Sequence, residues 1–445
     1  MVAICTTLSL TSCGKSAKKD YTMYIKDEGV NISDSEEGSQ VWQLTDSPAN
    51  SELYRYDVLW EDVSDDLVRI SEDGKYIFYV ENLNLFQEEY GSRWSFALYY
   101  REVDKPEEEA ILIASDVLHY EVNSKATIVT YCDCDYDLHQ YKIGEGSTET
   151  IESGVRDFDA SGDGKTIGCW GGKAVHSALS IYREGKSEKV SDNVYMYSYT
   201  VLDDGRIYFL RKNNSDTMAE ELCVWENGST RTIANEVDNM YLSKNGKYIF
   251  YGRHDTGVRF NLYYNEVDKP EKAAVEIASN VLCYTVNSDS TLVTYYRERS
   301  ENGEWKNGLY QYKIGERTTE VIDSGIESGV TCFDVSDDGT TIGYINDWDA
   351  ERKSGTLYVW QKKGGMRASE QRVAVDVHSC TVTEGGRILY LCNYDLDIWK
   401  GELHVWEKGN SKMIEDDVAS IIRDEKDIYK YKGIGTYALS DLYWD

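Results

Sequence analysis

From residue 66 onward, apolar and polar positions alternate in short runs rich in Val, Ile, Tyr and Trp, with turn residues between them. That is the period of half-buried strands, and no segment of useful length shows the spacing of an amphipathic helix. The runs recur in a fixed order. Ser71-Glu72-Asp73-Gly74-Lys75-Tyr76-Ile77-Phe78-Tyr79 returns as Ser243-Lys244-Asn245-Gly246-Lys247-Tyr248-Ile249-Phe250-Tyr251. Ser161-Gly162-Asp163-Gly164-Lys165 and Ser336-Asp337-Asp338-Gly339-Thr340 are related copies, and Asp203-Asp204-Gly205 and Glu384-Gly385-Gly386 are shorter ones. Asn123–Ala126 and Asn287–Ser290 are degenerate, and Arg423–Lys426 is a ninth candidate. Residues at the glycine position fall 38 to 52 apart.

Asp-Gly or Asn-Gly between two β-rich runs marks a hairpin, because the turn needs a positive φ that Gly and Asn tolerate. Each unit therefore opens with a hairpin, as where Asn239–Leu242 turns into Tyr248–Tyr251. A third strand reads Leu-Tyr or Val-Trp, as at Leu98-Tyr99 and Val405-Trp406. A fourth is expected to end near a small turn, as in Ser115-Asp116-Val117 and Ser279-Asn280-Val281. Four strands in each repeating unit predict an all-β fold, a β-propeller of eight or nine four-stranded blades. A longer period brings Glu102–Pro106 back at Glu266–Pro270 and Val224-Trp225-Glu226 back at Val405-Trp406-Glu407. This suggests a four-blade duplication, 66–237 and 238–418. Residues 39–445 are expected to form one propeller, its ring closed by both termini, with 39–46 supplying the strand missing from the hairpin and third strand of 419–445.

The Ser-x-Asp-Gly-Lys-x-Ile phrases resemble the WD40-like repeats of the TolB and dipeptidyl-peptidase propellers, over nearly all of residues 60–433. The resemblance implies the fold and leaves activity open. The Trp-Asp dipeptide of true WD40 blades is missing from the expected strand ends.

Charge narrows the partners. The 445 residues carry 47 basic and 79 acidic side chains, a formal charge of −32. Phosphate-backbone binding needs a basic footprint, so nucleic acid is excluded as the expected partner. Residues 1–13 read as the end of a lipoprotein signal. Leu10-Thr11-Ser12-Cys13 resembles a lipobox, in which the cysteine thiol takes the lipid, although no Lys or Arg precedes the apolar run. Residues 14–38 would be a tether and first strand region. The expectation is a monomer on the extracytoplasmic side of the cell membrane, touching that membrane only through lipid on Cys13.

Signals for chemistry are few. There is no Gly-x-Ser-x-Gly elbow and no His-Glu-x-x-His pair. Cys132 and Cys134, two apart, would share a strand face. Cys283, Cys332 and Cys380 occupy matching places in first strands and read as small packing residues. Asp133–Asp137 starts like a calcium loop but lacks the Gly and Glu that such a loop requires. Neither a cofactor, a metal site nor a catalytic residue is assigned.

The loops joining second and third strands carry aromatics among acids: Trp94, Trp305, Trp348 and Trp399, with Asp347, Asp349, Asp395 and Asp397. Exposed loops on a rigid scaffold commonly carry recognition. The function expected is non-catalytic binding of a protein, peptide or cell-wall glycan at that rim. The alternative is a propeller enzyme, a polysaccharide lyase or hydrolase, with carboxylates in the central pocket.

Overall fold

The computed structural model describes residues 68–418, apart from short turns and loops, and the isolated segments 7–9, 20–26, 29–34, 41–43 and 428–430. Among these residues every element is a strand and every pairing is antiparallel. From residue 68 the strands follow one another as neighbours, forming eight successive four-stranded units: 68–117, 117–153, 157–194, 194–237, 237–281, 281–326, 332–377 and 377–418. We call the strands of each unit A to D in chain order.

The Ser-x-Asp-Gly phrase builds the A–B turn. At Ser161 the backbone N–H donates to Thr166 O at 2.8 Å and Gly164 N–H donates back to Ser161 O at 2.7 Å. The Ser161 hydroxyl donates to Asp163 Oδ1 at 2.8 Å and accepts from Thr166 N–H at 3.1 Å. Gly164 closes the turn at φ +72°, which explains glycine there. In the degenerate copies an asparagine replaces the serine. Asn123 Oδ1 accepts from the N–H groups of Thr127 and Ile128, and Asn287 Oδ1 does the same for Thr291 and Leu292.

The expected small turn at the end of the fourth strand is not a turn. The chain passes without interruption from strand D of one unit into strand A of the next, as in Ile111–Val122, Ser229–Leu242 and Ser369–Val382. A left-handed residue marks the crossing: Asp116, Asn193, Glu236, Asn280 and Asp376, all with φ between 52° and 60°. Each is followed by a fully buried valine, Val117, Val194, Val237, Val281 and Val377. The left-handed residue makes a bulge, and a bulge bends the strand while pairing resumes on its far side. Among the described residues one crossing is broken, between Ser153 and Asp157.

The core lies between units. Leu282, Cys283, Leu309 and Ile322 of the sixth pack against Phe333, Ile342, Tyr344 and Trp360 of the seventh. Cys132 and Leu138 of the second, with Val155 from the segment that follows it, likewise meet Phe158, Ile167 and Cys169 of the third. The units therefore still share a core where the strand is broken. The Val-Trp phrase of strand C supplies Trp225 and Trp406, both almost wholly buried. Burying each such side chain stabilises by about 1.5–3 kcal/mol.

Three expectations change. Val41–Gln43 pairs with Gly29–Asp34, in a small sheet with Thr7–Ser9 and Asp20–Lys26, and does not complete a last unit. Neighbouring segments meet at low loop-closure cost, which favours this local pairing. Ile428–Lys430, expected in the ninth hairpin, pairs with Cys283–Thr285, the A strand of the sixth unit, and residues 419–427 and 431–445 lie outside the described residues. That strand otherwise leaves an unpaired edge. Finally, the register sets Cys380 opposite Tyr390 and Cys283 opposite Tyr296, one step apart measured from the turn. Ser379, not Cys380, matches Cys283 and Cys332, and a one-residue step reverses the face.

Candidate functional site

In each unit the B–C hairpin and the D-to-A crossing lie at the end of the sheet opposite the Ser-x-Asp-Gly turn. The candidate rim residues sit there. Trp94 pairs in register with Leu85, and Trp305 with Ser300, near the tips of their hairpins. Trp348 lies at the end of Thr341–Asp349. Its ring packs on the core between the seventh and eighth units, against a cluster containing Ile345, Leu357 and Val377, so it is a packing residue. Asp347, Asp349 and Asp395 are exposed. Asp349 Oδ1 accepts the N–H groups of Glu351 and Arg352 and so shapes its own turn. Asp347 accepts from the Tyr358 hydroxyl at 3.4 Å. Cys13, Asp397 and Trp399 lie outside the described residues.

Asp133–Asp137 is the B–C turn of the second unit. Asp133 Oδ1 accepts from Asp135 and Asp137 N–H, each at 3.0 Å, and its Oδ2 lies 2.9 Å from His139 Nε2. Cys134 falls in that turn, past the end of Ile128–Asp133, so it does not share a strand face with Cys132.

A second constellation lies on the A strands, five residues before the glycine position. There Glu121 Oε2 accepts Ala160 N–H of the third unit at 2.8 Å. Asp159 Oδ2 accepts Val201 N–H of the fourth at 2.5 Å. Asp334 Oδ2 accepts Val382 N–H and the Thr381 hydroxyl of the eighth, both at 2.7 Å. Each carboxylate thus bridges its own A strand to the next. Such charge-assisted bonds are shorter and stronger than neutral ones.

Around Glu121 and Asp159 the groups crowd. His119 Nε2 stands 3.8 Å from Glu121 Oε1, with its ring 4.9 Å from Phe158. The His119 side chain keeps 34% of its exposure. Burial, then the charge of Glu121, push the Asp159 carboxyl well above the usual carboxylate range, against the pull of the Val201 N–H. Burial also raises the Tyr199 hydroxyl, with Asp157 beside it adding to the effect. A carboxyl with its proton affinity raised in this way, beside a partly exposed imidazole, is suited to proton transfer. Sequence reading missed this cluster. The signal was available as acids in Glu121, Asp159 and Asp334 at one fixed distance from the turn, where Thr200, Thr285 and Thr381 stand in other units.

Four-stranded antiparallel units, cored between neighbours and joined A strand to A strand, are blades set side by side about an axis. The fold is a β-propeller. It is similar to the tricorn protease structure at 12% identity and a TM-score of 0.39, over 89% of this chain and 42% of that one. It is also similar to an oligogalacturonate lyase from Vibrio parahaemolyticus (10%, TM-score 0.42, 78% and 94% of the two chains). The β-propeller domain of the trilobed protease from Pyrococcus furiosus is a third such structure (13%, TM-score 0.40, 79% and 94%). The chain spans less than half of the tricorn protease chain. No family model matches it, and no curated protein matches it in sequence.

Proposed function

We propose that this β-propeller is an extracytoplasmic, lipid-anchored binding scaffold, without catalysis of its own, for a protein, peptide or cell-wall glycan. The ligand engages the face formed by the B–C hairpins. One observation carries the reading: the inner-strand carboxylates Glu121, Asp159 and Asp334 are engaged on backbone N–H groups of neighbouring blades, whereas Asp347, Asp349 and Asp395 stay exposed at the opposite rim. A net charge of −32 favours a cationic peptide over a neutral sugar.

The test is capture from envelope extract and glycan fractions, followed by titration with the captured ligand at low and high ionic strength. Binding to a basic segment weakens with salt, and binding to a glycan barely changes. Replacing Trp94, Trp305 and Trp399 together by Ala should abolish binding with an unchanged melting temperature. Full binding by that variant would move the site off this face. For the anchor, Cys13→Ser in a chain with a complete export signal should leave the membrane fraction, and retention there would refute lipidation.

A second reading is favoured by the His119–Glu121–Asp157–Asp159–Tyr199 cluster: an enzyme acting on polysaccharide, with Asp159 holding a proton and His119 accepting one. Turnover of a polysaccharide that disappears in both His119→Ala and Asp159→Asn would replace the binding reading by this one.

A further inference from the structure

On the face of the eighth unit turned toward the seventh, strands B and C bring three unlike ligand atoms together. Cys392 stands opposite Glu402 in the Ile388–Asp395 and Lys400–Glu407 pairing, and His404, two residues on, shares the face of Glu402. The Cys392 sulfur, a Glu402 carboxylate oxygen and a His404 ring nitrogen all lie within 4.8 Å of one another. We propose that these three side chains bind one divalent transition-metal ion, with zinc the ion best matched to the donors. This goes beyond the binding reading and does not depend on it.

The donor set itself supports the assignment. Thiolate, imidazole and carboxylate together suit a borderline-soft ion and poorly suit calcium or magnesium, which take oxygen. Zinc bonds of about 2.0–2.3 Å place neighbouring donors within the separation found here. The supports around the ligands also fit. His404 Nε2 lies 3.0 Å from Glu402 Oε2, and its ring stacks on Tyr390 at 5.2 Å. Asn393 holds the Glu402 carboxylate by a further hydrogen bond. The Tyr390 stacking and the Asn393 bond fix the ring and carboxylate and lower the cost of ordering them around an ion, whereas the His404–Glu402 contact would give way to bonds with the ion. Cys392 is buried and in no disulfide. Three protein ligands leave the fourth tetrahedral position open to water or an added group, which is the pattern of an accessible zinc and not of a closed structural one.

Linear spacing gave no sign of the site, because eleven residues of the B–C hairpin lie between Cys392 and His404. Antiparallel pairing cancels that distance.

The test uses the full chain, stripped of metal by a chelator and titrated with zinc and, separately, with cobalt. We expect one equivalent to bind tightly, a thiolate-to-cobalt charge-transfer band to appear, and the thiol proton to be released to buffer. Saturating zinc should protect Cys392 from alkylation, read by mass spectrometry. Cys392→Ser and His404→Gln should each weaken zinc binding by about 100-fold or more. Cys132→Ser, in the second unit, should leave binding intact. Far-ultraviolet circular dichroism and metal-free melting establish that each variant is folded, and alkylation protection in the wild type decides the matter if one is not. Absence of the charge-transfer band, undiminished alkylation of Cys392 under saturating zinc, or unchanged affinity in either folded variant would overturn the proposal.

Discussion

Ala126 and Ser290 occupy the turn position that other units give to glycine, with φ at +48° and +55°. A left-handed conformation costs an L-residue about 1–2 kcal/mol. Ser290 is also 1% exposed, and its hydroxyl finds no hydrogen-bond partner among the described residues. Ser290→Gly should therefore stabilise the protein by about 1 kcal/mol, measured as an upward shift of the urea midpoint with an unchanged slope. Asp159 gives a pH-dependent counterpart. A carboxyl raised by burial contributes stability that is complete below its unfolded pKa and is lost as pH rises through the folded value. Asp159→Asn keeps an oxygen for the Val201 N–H and removes the charge. Its melting temperature should exceed that of the wild type at alkaline pH, with the difference closing as pH falls toward the unfolded carboxylate pKa. The sequence showed which residues form the turns, because glycine and asparagine at positive φ declare themselves locally. It did not show that Asp159 is buried beside Glu121, because that contact spans two blades.

Strands and their pairing were legible for a similar reason. Period-two alternation and the Asp-Gly turn specify a hairpin within about ten residues, and Met240 does meet Tyr251 as that pattern demands. The D-to-A crossing was not legible. Asp116 and Asn280 look like turn residues, yet their left-handed backbone bends a strand that continues. Propensity cannot separate a bulge from a turn when both favour Asn and Asp. The packing of Trp348 was not legible for the opposite reason. Trp348 is near a hairpin tip in sequence, but the next unit covers it. Trp348 is half-buried, so its replacement by Ala should cost about 2–3 kcal/mol, less than loss of a fully buried ring. The ties between A strands can be weighed in the same way. Asp334→Ala leaves Val382 N–H and the Thr381 hydroxyl without their buried acceptor and should destabilise by roughly 2–4 kcal/mol, and Asp334→Asn by clearly less. Equal losses in the two variants would mean that the charge, and not the acceptor, holds the blades.

At the scale of the whole molecule, charge works against compactness. With 79 acidic and 47 basic side chains, self-repulsion opposes folding while keeping copies apart. Moving from about 0.01 M to 0.15 M salt shortens the Debye length from ~30 Å to ~8 Å, so the melting temperature should rise across that range. A fall would show that ion pairs such as Arg211–Glu221, at 2.6 Å, outweigh the repulsion. The recurrence of contacts at long range also belongs here. Gln140 Nε2 donates to Gly164 O, and Gln311 Nε2 donates to Gly339 O, at matching places four blades apart.

The broken crossing between Ser153 and Asp157 has a consequence for how the chain could be made in pieces. A cut between Gly154 and Val155 severs no strand, whereas a cut between Val117 and Leu118 severs Ile111–Val122 at a fully buried valine. Two separately translated segments, 1–154 and 155–445, should therefore find each other and reassemble when co-expressed, guided by the shared core of Leu138, Val155 and Phe158. Segments 1–117 and 118–445 should not. The same boundary would let an inserted domain or a reporter enter the ring with little disturbance, so the molecule carries its own site for complementation.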